Sequence, residues 1–404
     1  MSMREINLIN GINVCIKRNE NTPRIALSMN FSIVKPELKA GQYLLMNRLL
    51  MKGTEKYSSE ELSTVLDENA IELYTEMKYD YLRFRFVALN EDFEFALSIL
   101  SDIVLNSTFE EFEKEKEKLK GEMLAELDSA KVKVSDLFTK TIYKNHFYGH
   151  SYTKILEEID SVQLDDVKNA YFEILNNSQK ALALVGDIET SAAESALNKY
   201  LGEIPAPSEM ASEILTPVTI HNEYAELIKD DAQQAQIIQG WRVAAMGSDD
   251  YPKLMLLNVI LGASGLSSRL FLELREKKGL AYTVRSSYEN HVKAAVFSIY
   301  IGTEPANIQT SIDGFKEEIE KIKNILVSDE ELHNAKNNII GKQQFITETN
   351  SQQANLMAYY AISGKPFDYQ KSVIEALKKV TSEELKECAN KYFTEDFVLA
   401  VLKP

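Results

Sequence analysis

The order of predicted strands and helices in the first half of the chain occurs again in the second half. In each half an apolar strand precedes a helix that ends near a glycine, two strands follow, then long helices and a final buried strand. A repeat of this kind restricts the chain to two similar units of about 200 residues, a usual domain size. The matching strands and first helices are 24–34, 38–51, 72–77 and 81–89 in the first half, and 236–243, 253–261, 281–288 and 294–301 in the second.

Turn and cap signals favour antiparallel pairing within each unit. Asn10-Gly11 separates two short apolar stretches and suits the positive φ angles of a tight type I′ hairpin turn. Ser58 and Glu61 have the spacing of a capping box and predict the start of a short helix. The predicted fold class is therefore α+β, with two homologous domains that each hold a mostly antiparallel sheet flanked by helices. The predicted domains are residues 1–202 and 218–404, joined by a proline-containing linker at 203–217.

Charge and cysteine content exclude several classes of function. The net charge of −16 disfavours nucleic acid and anionic membrane surfaces as partners. The two cysteines, Cys15 and Cys388, are too few for a disulfide framework or a structural zinc site, and they favour a reducing compartment. The chain has no secretory signal pattern and no run of about 20 apolar residues, so we expect a cytoplasmic protein.

Two motifs could indicate a bound metal or nucleotide, and neither is convincing. His146 and His150 have the i, i+4 spacing of a metal pair, but Gly149 between them favours a loop and no third ligand lies nearby in sequence. The glycine-rich stretch 262–265 lacks the Lys-Ser/Thr pair of a phosphate loop. We therefore expect neither a metal nor a cofactor in this chain.

Four segments resemble the M16 peptidases, the pitrilysin and insulinase type that includes the processing peptidases: 146–149, 186–188 and two longer segments that contain the motifs. The first longer segment, 41–57, contains Lys52-Gly53-Thr54, which in the catalytic members follows a His-x-x-Glu-His motif. The second longer segment runs from Ser267-Ser268-Arg269 to the Gly-Leu-Ala-Tyr at 279–282 and is the most specific match. The resemblance covers nearly the whole chain and implies the M16/LuxS-like metallohydrolase fold.

The zinc motif of that family is degenerate in this chain. Counting back from Lys52, the resemblance places the two histidine positions at Leu44 and Arg48 and the general base at Asn47. Leu has no donor atom, Arg is permanently cationic, and Asn accepts no proton at neutral pH, so this helix should hold no zinc. The third ligand position falls on Glu122. One hypothesis is that Arg48 and Glu122 form an ion pair in place of the metal charge; the alternative is that Glu122 is an exposed carboxylate on a charged helix.

The second half keeps two residues that the resemblance makes functional. Arg275 and Tyr282 match an Arg/Tyr pair that donates to the carbonyl oxygen during peptide hydrolysis. Loss of the zinc motif with retention of this pair implies a zinc-free subunit whose partner, a catalytic M16 chain bearing His-x-x-Glu-His, supplies Zn²⁺ for cleavage of a peptide substrate. The alternative is an inactive scaffold or peptide-binding protein of the same fold. The strand at 71–77 could accept a peptide by strand addition if it is an edge strand, or could lie inside the first sheet.

Overall fold

A computed structural model gives the fold and describes residues 3–208, 212–218 and 221–404. The chain divides into two compact units, each formed from three segments. The first unit comprises Met1–Gly121, Ile155–Ile214 and Gln344–Tyr369, and the second comprises Glu122–Lys154, Leu215–Gln343 and Gln370–Pro404. The predicted division at 203–217 assigns each half of the chain to one unit. In the structure two segments are exchanged: 122–154 belongs to the second unit, and 344–369 belongs to the first. Element order alone does not show which sheet a helix will pack on.

The first unit contains a mixed sheet of six strands. Its spatial order is β1-β2-β6-β3-β5-β4, with β2 and β6 parallel and the other neighbours antiparallel. The strand β4 therefore lies at one edge. The six strands are β1 (Met3–Asn7), β2 (Asn13–Arg18), β3 (Arg24–Ser32), β4 (Glu72–Met77), β5 (Tyr81–Leu89) and β6 (Lys180–Gly186).

The second unit contains a sheet of five strands in the order β7-β11-β8-β10-β9. Here β7 and β11 are parallel and the other pairs antiparallel, so among the described residues the sheet repeats the pairing of the first unit without a counterpart of β1. This repetition confirms the predicted fold class of two homologous α+β domains with mostly antiparallel sheets. The five strands are β7 (Glu223–Ile228), β8 (Ala235–Val243), β9 (Ala281–Asn290), β10 (Ala295–Thr303) and β11 (Val398–Lys403).

Helices flank both sheets. The α-helices are α1 (Gln42–Leu49), α2 (Ser59–Glu68), α3 (Phe93–Asn106), α4 (Phe112–Glu126), α5 (Ala130–Ile142), α6 (Tyr152–Glu158), α7 (Leu164–Asn177), α8 (Thr190–Leu201), α9 (Tyr251–Asn258), α10 (Ile308–Asn324), α11 (Asp329–Phe345), α12 (Asn350–Ile362), α13 (Tyr369–Lys379) and α14 (Ser382–Tyr392). Two π-helical segments, Val259–Ala263 and Phe271–Lys277, lie in the second unit.

The exchanged segments provide one central helix for each sheet. In the first unit α12 packs on β3 and β6, where Ala354 and Ala358 contact a buried cluster that includes Ala26 and Ala183. In the second unit α5 packs on β8 and β11. Gly240 of β8 lets this helix approach closely, because an added Cβ would lie 2.5 Å from the Phe138 ring. Small residues at both contacts let the helix backbone approach the sheet.

The first hairpin is present, but its turn type was predicted wrongly. Strands β1 and β2 pair from Met3 opposite Lys17 to Asn7 opposite Asn13, and the Leu8 amide donates to the Ile12 carbonyl. A three-residue loop remains, in which only Gly11 has a positive φ, 83°. A type I′ turn needs positive φ at both central residues. The capping box of Ser58 and Glu61 at the start of α2 is confirmed.

Residues 203–208 and 212–214 of the predicted linker belong to the first unit, and residues 215–217 belong to the second. The Asn10 side chain donates to the carbonyls of Leu201 and Ile204, and the buried Lys180 ammonium donates to the Ala206 carbonyl. Further along, Ile214 is buried. Residues 209–211 of the predicted linker lie outside the described residues. Within the described ranges, no helix is both long and apolar enough to cross a membrane.

Candidate functional site

The three degenerate motif residues lie on one side of α1. The helix starts after Gly41, whose φ is 91°, and it buries Tyr43, Leu45, Met46 and Leu49 in the first unit. Leu44, Asn47 and Arg48 are half-buried, and their spacing of three and four residues places them on the same helix face. The backbone carbonyl of Asn47 accepts a hydrogen bond from Thr75 of the edge strand β4, at 3.1 Å. The motif face is thereby attached to the sheet edge.

Two cations beside this face share one buried carboxylate. Lys52 Nζ lies 2.9 Å from Oε1 of Glu115, and Arg48 Nη1 lies 3.5 Å from its Oε2. Glu115 belongs to α4 and is only 3% exposed. Its hydrogen bond raises the pKa of Lys52 above the ordinary lysine value, against the opposing effect of burial. A fixed ion cluster of two cations and a carboxylate therefore borders the motif.

These residues do not fit a zinc ion. Leu44 offers no donor atom, and the Arg48 guanidinium adds positive charge where a metal would need ligands. Across the described ranges, no group of three or more His, Cys, Asp or Glu side chains could hold a metal ion. The arrangement therefore supports no reaction step in which this chain itself supplies a metal ion.

Glu122 and Glu115 lie on the same helix, α4, seven residues apart. Seven residues are close to two helical turns, so both carboxylates lie on about the same face of α4. Glu122 is exposed and belongs to the second unit, whereas Arg48 belongs to the first, and the proposed Arg48–Glu122 ion pair stays a prediction. Glu115 was not among the site residues predicted from the sequence. Its spacing from the buried Phe112 and Leu119 places it in the apolar stripe of α4, which is a signal that it is buried.

Arg275 and Tyr282 are adjacent in the second unit. The guanidinium carbon of Arg275 lies 5.0 Å from the centroid of the Tyr282 ring and 4.6 Å from that of Phe271. Arg275 is on the π-helical segment Phe271–Lys277, and Tyr282 is near the start of β9. Tyr282 is 79% exposed, so its hydroxyl is available to a ligand.

A β-bulge accounts for the exposure of Tyr282. On β10, the adjacent residues Gly302 and Thr303 pair with Thr283 and Ala281 of β9, so Tyr282 is an extra residue without a cross-strand partner. Bulges bend a strand and redirect a side chain, and they are frequent next to active sites. The period-two pattern does not predict this irregularity.

The edge strand β4 borders a groove. A cavity of about 450 Å³ lies between β4, the helix α2 and the end of α1. Its walls include Lys52, Leu62, Leu66, Leu73 and Tyr74. The edge position of β4 agrees with the first of the two alternatives for the strand at 71–77.

The histidines at 146 and 150 form no metal site with a third ligand in the described chain. Both nitrogens of the His146 ring contact the backbone. Nε2 lies 2.9 Å from the Leu215 carbonyl oxygen, and Nδ1 accepts a hydrogen bond from the Tyr148 amide at 3.1 Å. Tyr148 in turn packs on His291, with ring centroids 4.5 Å apart. The motif is thus a structural loop of the second unit.

Comparison with known families identifies both halves of the chain. Residues 24–159 match the family described as "Insulinase (Peptidase family M16)", and residues 161–339 match "Peptidase M16 inactive domain". The chain belongs to the M16 peptidase family. This assignment confirms the resemblance seen in the sequence and accounts for the repeated sheets.

M16 relatives of similar length carry different descriptions. The chain is 26% identical over 402 residues to "Uncharacterized zinc protease YmxG" of Bacillus subtilis (strain 168), covering 98% of this chain and 97% of that protein. It is 24% identical over 358 residues to "Non-peptidase homolog YmxG" of Helicobacter pylori, covering 85% and 79%. The second description agrees with an M16 chain that lacks the catalytic motif.

Two solved structures share the fold. A protease from Helicobacter pylori superposes with a TM-score of 0.90 at 21% identity, over 100% of this chain and 99% of that one. A peptidase M16 inactive domain from Pseudomonas fluorescens gives 0.89 at 21% identity, over 100% and 98%. At this level of identity the likeness establishes the fold.

Proposed function

We propose that this chain is the zinc-free subunit of a two-chain M16 peptidase. In this proposal Arg275 and Tyr282 donate hydrogen bonds to the scissile carbonyl oxygen of a peptide, while a catalytic M16 partner supplies the zinc ion and the general base. The observation that carries the proposal is the contact between Arg275 and the bulged, exposed Tyr282.

The chemistry of the pair suits this role. Attack on a peptide carbonyl places negative charge on its oxygen, and a guanidinium and a phenol are both donors that stabilise such charge. Removing one donor of this kind typically costs about 2.7–4 kcal/mol of transition-state stabilisation. A phenol that served only packing would be covered by its neighbours, whereas Tyr282 is exposed.

The first unit, taken by itself, also has a feature that suits the binding of an extended peptide. The edge strand β4 has the groove alongside it and is hydrogen-bonded to the motif helix through Thr75. An extended peptide that pairs with β4 would gain main-chain hydrogen bonds without a demand on its sequence. Strand addition is therefore part of the proposed function.

A second candidate is an inactive M16 scaffold or peptide-binding protein. The ion cluster of Lys52, Arg48 and Glu115 favours it. These charged groups are paired within the first unit, so they stabilise that unit without a metal ion or a second protein chain. Such a protein could bind peptides at β4, but it would have no use for the donor pair.

Peptide hydrolysis separates the two candidates. Zinc-dependent cleavage is measured for this chain alone, for a catalytic M16 chain of the same organism alone, and for the mixture. The proposal expects activity that rises strongly in the mixture and is lost with Arg275→Ala or Tyr282→Phe. Lys277→Ala and Tyr224→Phe, which remove exposed groups of the same unit, should leave it unchanged. A mixture no faster than the catalytic chain alone would leave the scaffold candidate.

A further inference from the structure

The edge strand β4 and its neighbour β5 carry two arginines on one face of the sheet. In the β4–β5 register, Arg85 lies opposite Tyr74 and Arg83 lies opposite Glu76. Cross-strand neighbours point to the same face, so these four side chains share a face. The other face of β5 carries Phe84 and Phe86, which are fully buried.

All three guanidinium nitrogens of Arg83 have partners within the protein. Its Nη1 lies 2.9 Å from the Glu76 carboxylate, its Nε donates to Asn30 at 3.1 Å, and its Nη2 donates to the Asn355 carbonyl. Arg83 is only 8% exposed. It is therefore part of the core of the first unit.

Arg85, two residues further along β5, has a different environment. Its guanidinium carbon lies 5.3 Å from the centroid of the Tyr74 ring, so the cation stacks on a side chain of the edge strand β4. Among the described residues, no carboxylate lies within 4.0 Å of it to form an ion pair. In the part of the chain that the structure describes, Nε of Arg85 is buried and has no hydrogen-bond partner. Arg85 thus brings an uncompensated positive charge over a half-exposed tyrosine at the sheet edge.

The geometry of strand addition specifies what this charge would contact. A strand added to β4 lies about 4.8 Å beyond it, and the residue opposite Tyr74 has its Cβ about 5 Å from that of Tyr74. A carboxylate on this residue can reach the guanidinium above the Tyr74 ring, where a bidentate hydrogen-bonded pair is the favoured geometry. We propose that Arg85 selects peptides with an acidic side chain at the position opposite Tyr74. This inference rests on the strand-addition part of the proposed function.

The other charges of this face restrict the preference to one position. Glu72 and Glu76 lie on β4 two residues to either side of Tyr74, on the same face. Glu76 is paired with Arg83 and Lys78. An acidic residue placed two positions away on the peptide would face either Glu72, which repels it, or Glu76, whose neighbouring cations are already paired, so neither position offers the contact that Arg85 provides. The net charge of −16 likewise disfavours acidic peptides that lack this contact.

The test is binding of short extended peptides to the full chain alone, measured by fluorescence anisotropy. The probes are fluorescein-labelled seven-residue peptides of alternating Val and Thr with Glu, Gln or Lys at the central position. The wild type should bind the Glu probe about tenfold more tightly than the Gln probe, and the Lys probe least tightly. A probe with Glu moved by two positions should lose the advantage.

Variants assign the preference to Arg85. Arg85→Gln should bind the Glu and Gln probes equally, and Arg85→Glu should reverse the order so that the Lys probe binds most tightly. The exposed Arg24 of the same unit provides the matched control, and Arg24→Gln should keep the wild-type ratio. Because each ratio is measured within one protein preparation, a partly unfolded variant does not distort it.

Chemical modification at position 63 tests whether the peptides bind in the groove beside β4, because Ser63 lies on the groove wall. Cys15 and Cys388 are buried, so Ser63→Cys gives one accessible thiol, and a bulky maleimide on it should block binding of every probe. Equal affinity of the wild type for the Glu and Gln probes, or absence of binding, would overturn the inference. Neither result depends on a catalytic partner, so the inference and the two-chain peptidase proposal can fail separately.

Discussion

Lys52 and Glu115 form an ion pair beside the degenerate zinc motif, with Nζ and Oε1 2.9 Å apart. Glu115 is buried and also contacts Arg48, so its removal takes away the carboxylate that two partly buried cations share, and Lys52 keeps the longer contact with Glu111, at 3.5 Å. We expect Glu115→Ala to lower the free energy of unfolding by about 1–3 kcal/mol. Urea unfolding followed by circular dichroism measures the change.

The matched control for this prediction is Glu117→Ala. Glu117 is on the same helix, but its side chain is 68% exposed, and its pairing with Lys120 should contribute little. An equal loss in both variants would mean that the effect comes from α4 as a whole and that the ion cluster at the motif adds nothing.

The Lys52 pair also predicts an alkaline limit. The hydrogen bond to Glu115 raises the pKa of Lys52, so the folded protein binds this proton more tightly than the unfolded chain does. The stabilisation is complete below the ordinary lysine pKa of about 10.4 and is lost as the pH rises through the higher folded value. Unfolding at pH 9 and pH 11 should show a smaller decrease for Lys52→Met than for the wild type. Equal decreases would contradict the prediction.

The helix cap of α2 provides a local test of the sequence analysis. The Ser58 hydroxyl accepts the Glu61 amide, and the Glu61 carboxylate accepts the Ser58 amide in return. Ser58→Ala should lower the free energy of unfolding by about 1 kcal/mol, as measured by urea unfolding. Ser63→Ala, inside the same helix, should have a smaller effect or none, because alanine favours helix interiors. A loss as large in Ser63→Ala would exclude the cap as the cause.

The sequence predicted what depends on local pattern. Alternation along β5 and the Ser58–Glu61 spacing are consequences of short stretches of chain, and the repeated order of elements was enough to predict two similar units. The exchanged positions of α5 and α12 were not predictable, because an amphipathic pattern identifies the buried face of a helix and does not identify the sheet it covers.

The candidate site was predictable only where a motif marks it. Spacing placed Leu44, Asn47 and Arg48 on one helix face, and the family motif picked out Arg275 and Tyr282. Spacing did not predict the bulge that exposes Tyr282, since it depends on pairing with β10, a strand about 20 residues away. Arg83 and Arg85 look alike in the sequence, and only the register distinguishes the paired arginine from the one that has no carboxylate partner among the described residues.

The contact between Arg275 and Tyr282 predicts coupled effects on catalysis. In the mixture with a catalytic chain, each single variant, Arg275→Ala or Tyr282→Phe, should lower kcat/KM by about 10²–10³-fold. Residues in contact are rarely additive, so the double variant should lose less than the product of the two single losses. Steady-state kinetics of the four proteins gives the coupling. Unchanged kcat/KM in both single variants would exclude a catalytic role for the pair.

The loop at His146 predicts a loss of stability in mild acid. Burial lowers the pKa of His146, the neighbouring Arg242, His150 and His291 add to this effect, and the hydrogen bond to the Leu215 carbonyl opposes it. The neutral ring satisfies both nitrogens, whereas a proton on Nδ1 would break the bond from the Tyr148 amide. A lowered folded pKa means that the stabilisation is present above the unfolded value of about 6.5 and is lost as the pH falls through the folded value.

The free energy of unfolding should therefore decrease from pH 7.5 to pH 5.5, by no more than about 1.4 kcal/mol per pH unit for this one proton. Urea unfolding at both values, with His146→Gln, isolates its share: the variant should be less stable at pH 7.5 and show a smaller decrease. His333→Gln removes an exposed histidine of the same unit and should keep the wild-type decrease. A decrease of the same size in His146→Gln would mean that other groups carry the acid sensitivity, and that the loop at 146–150 holds its position whether or not this ring is protonated.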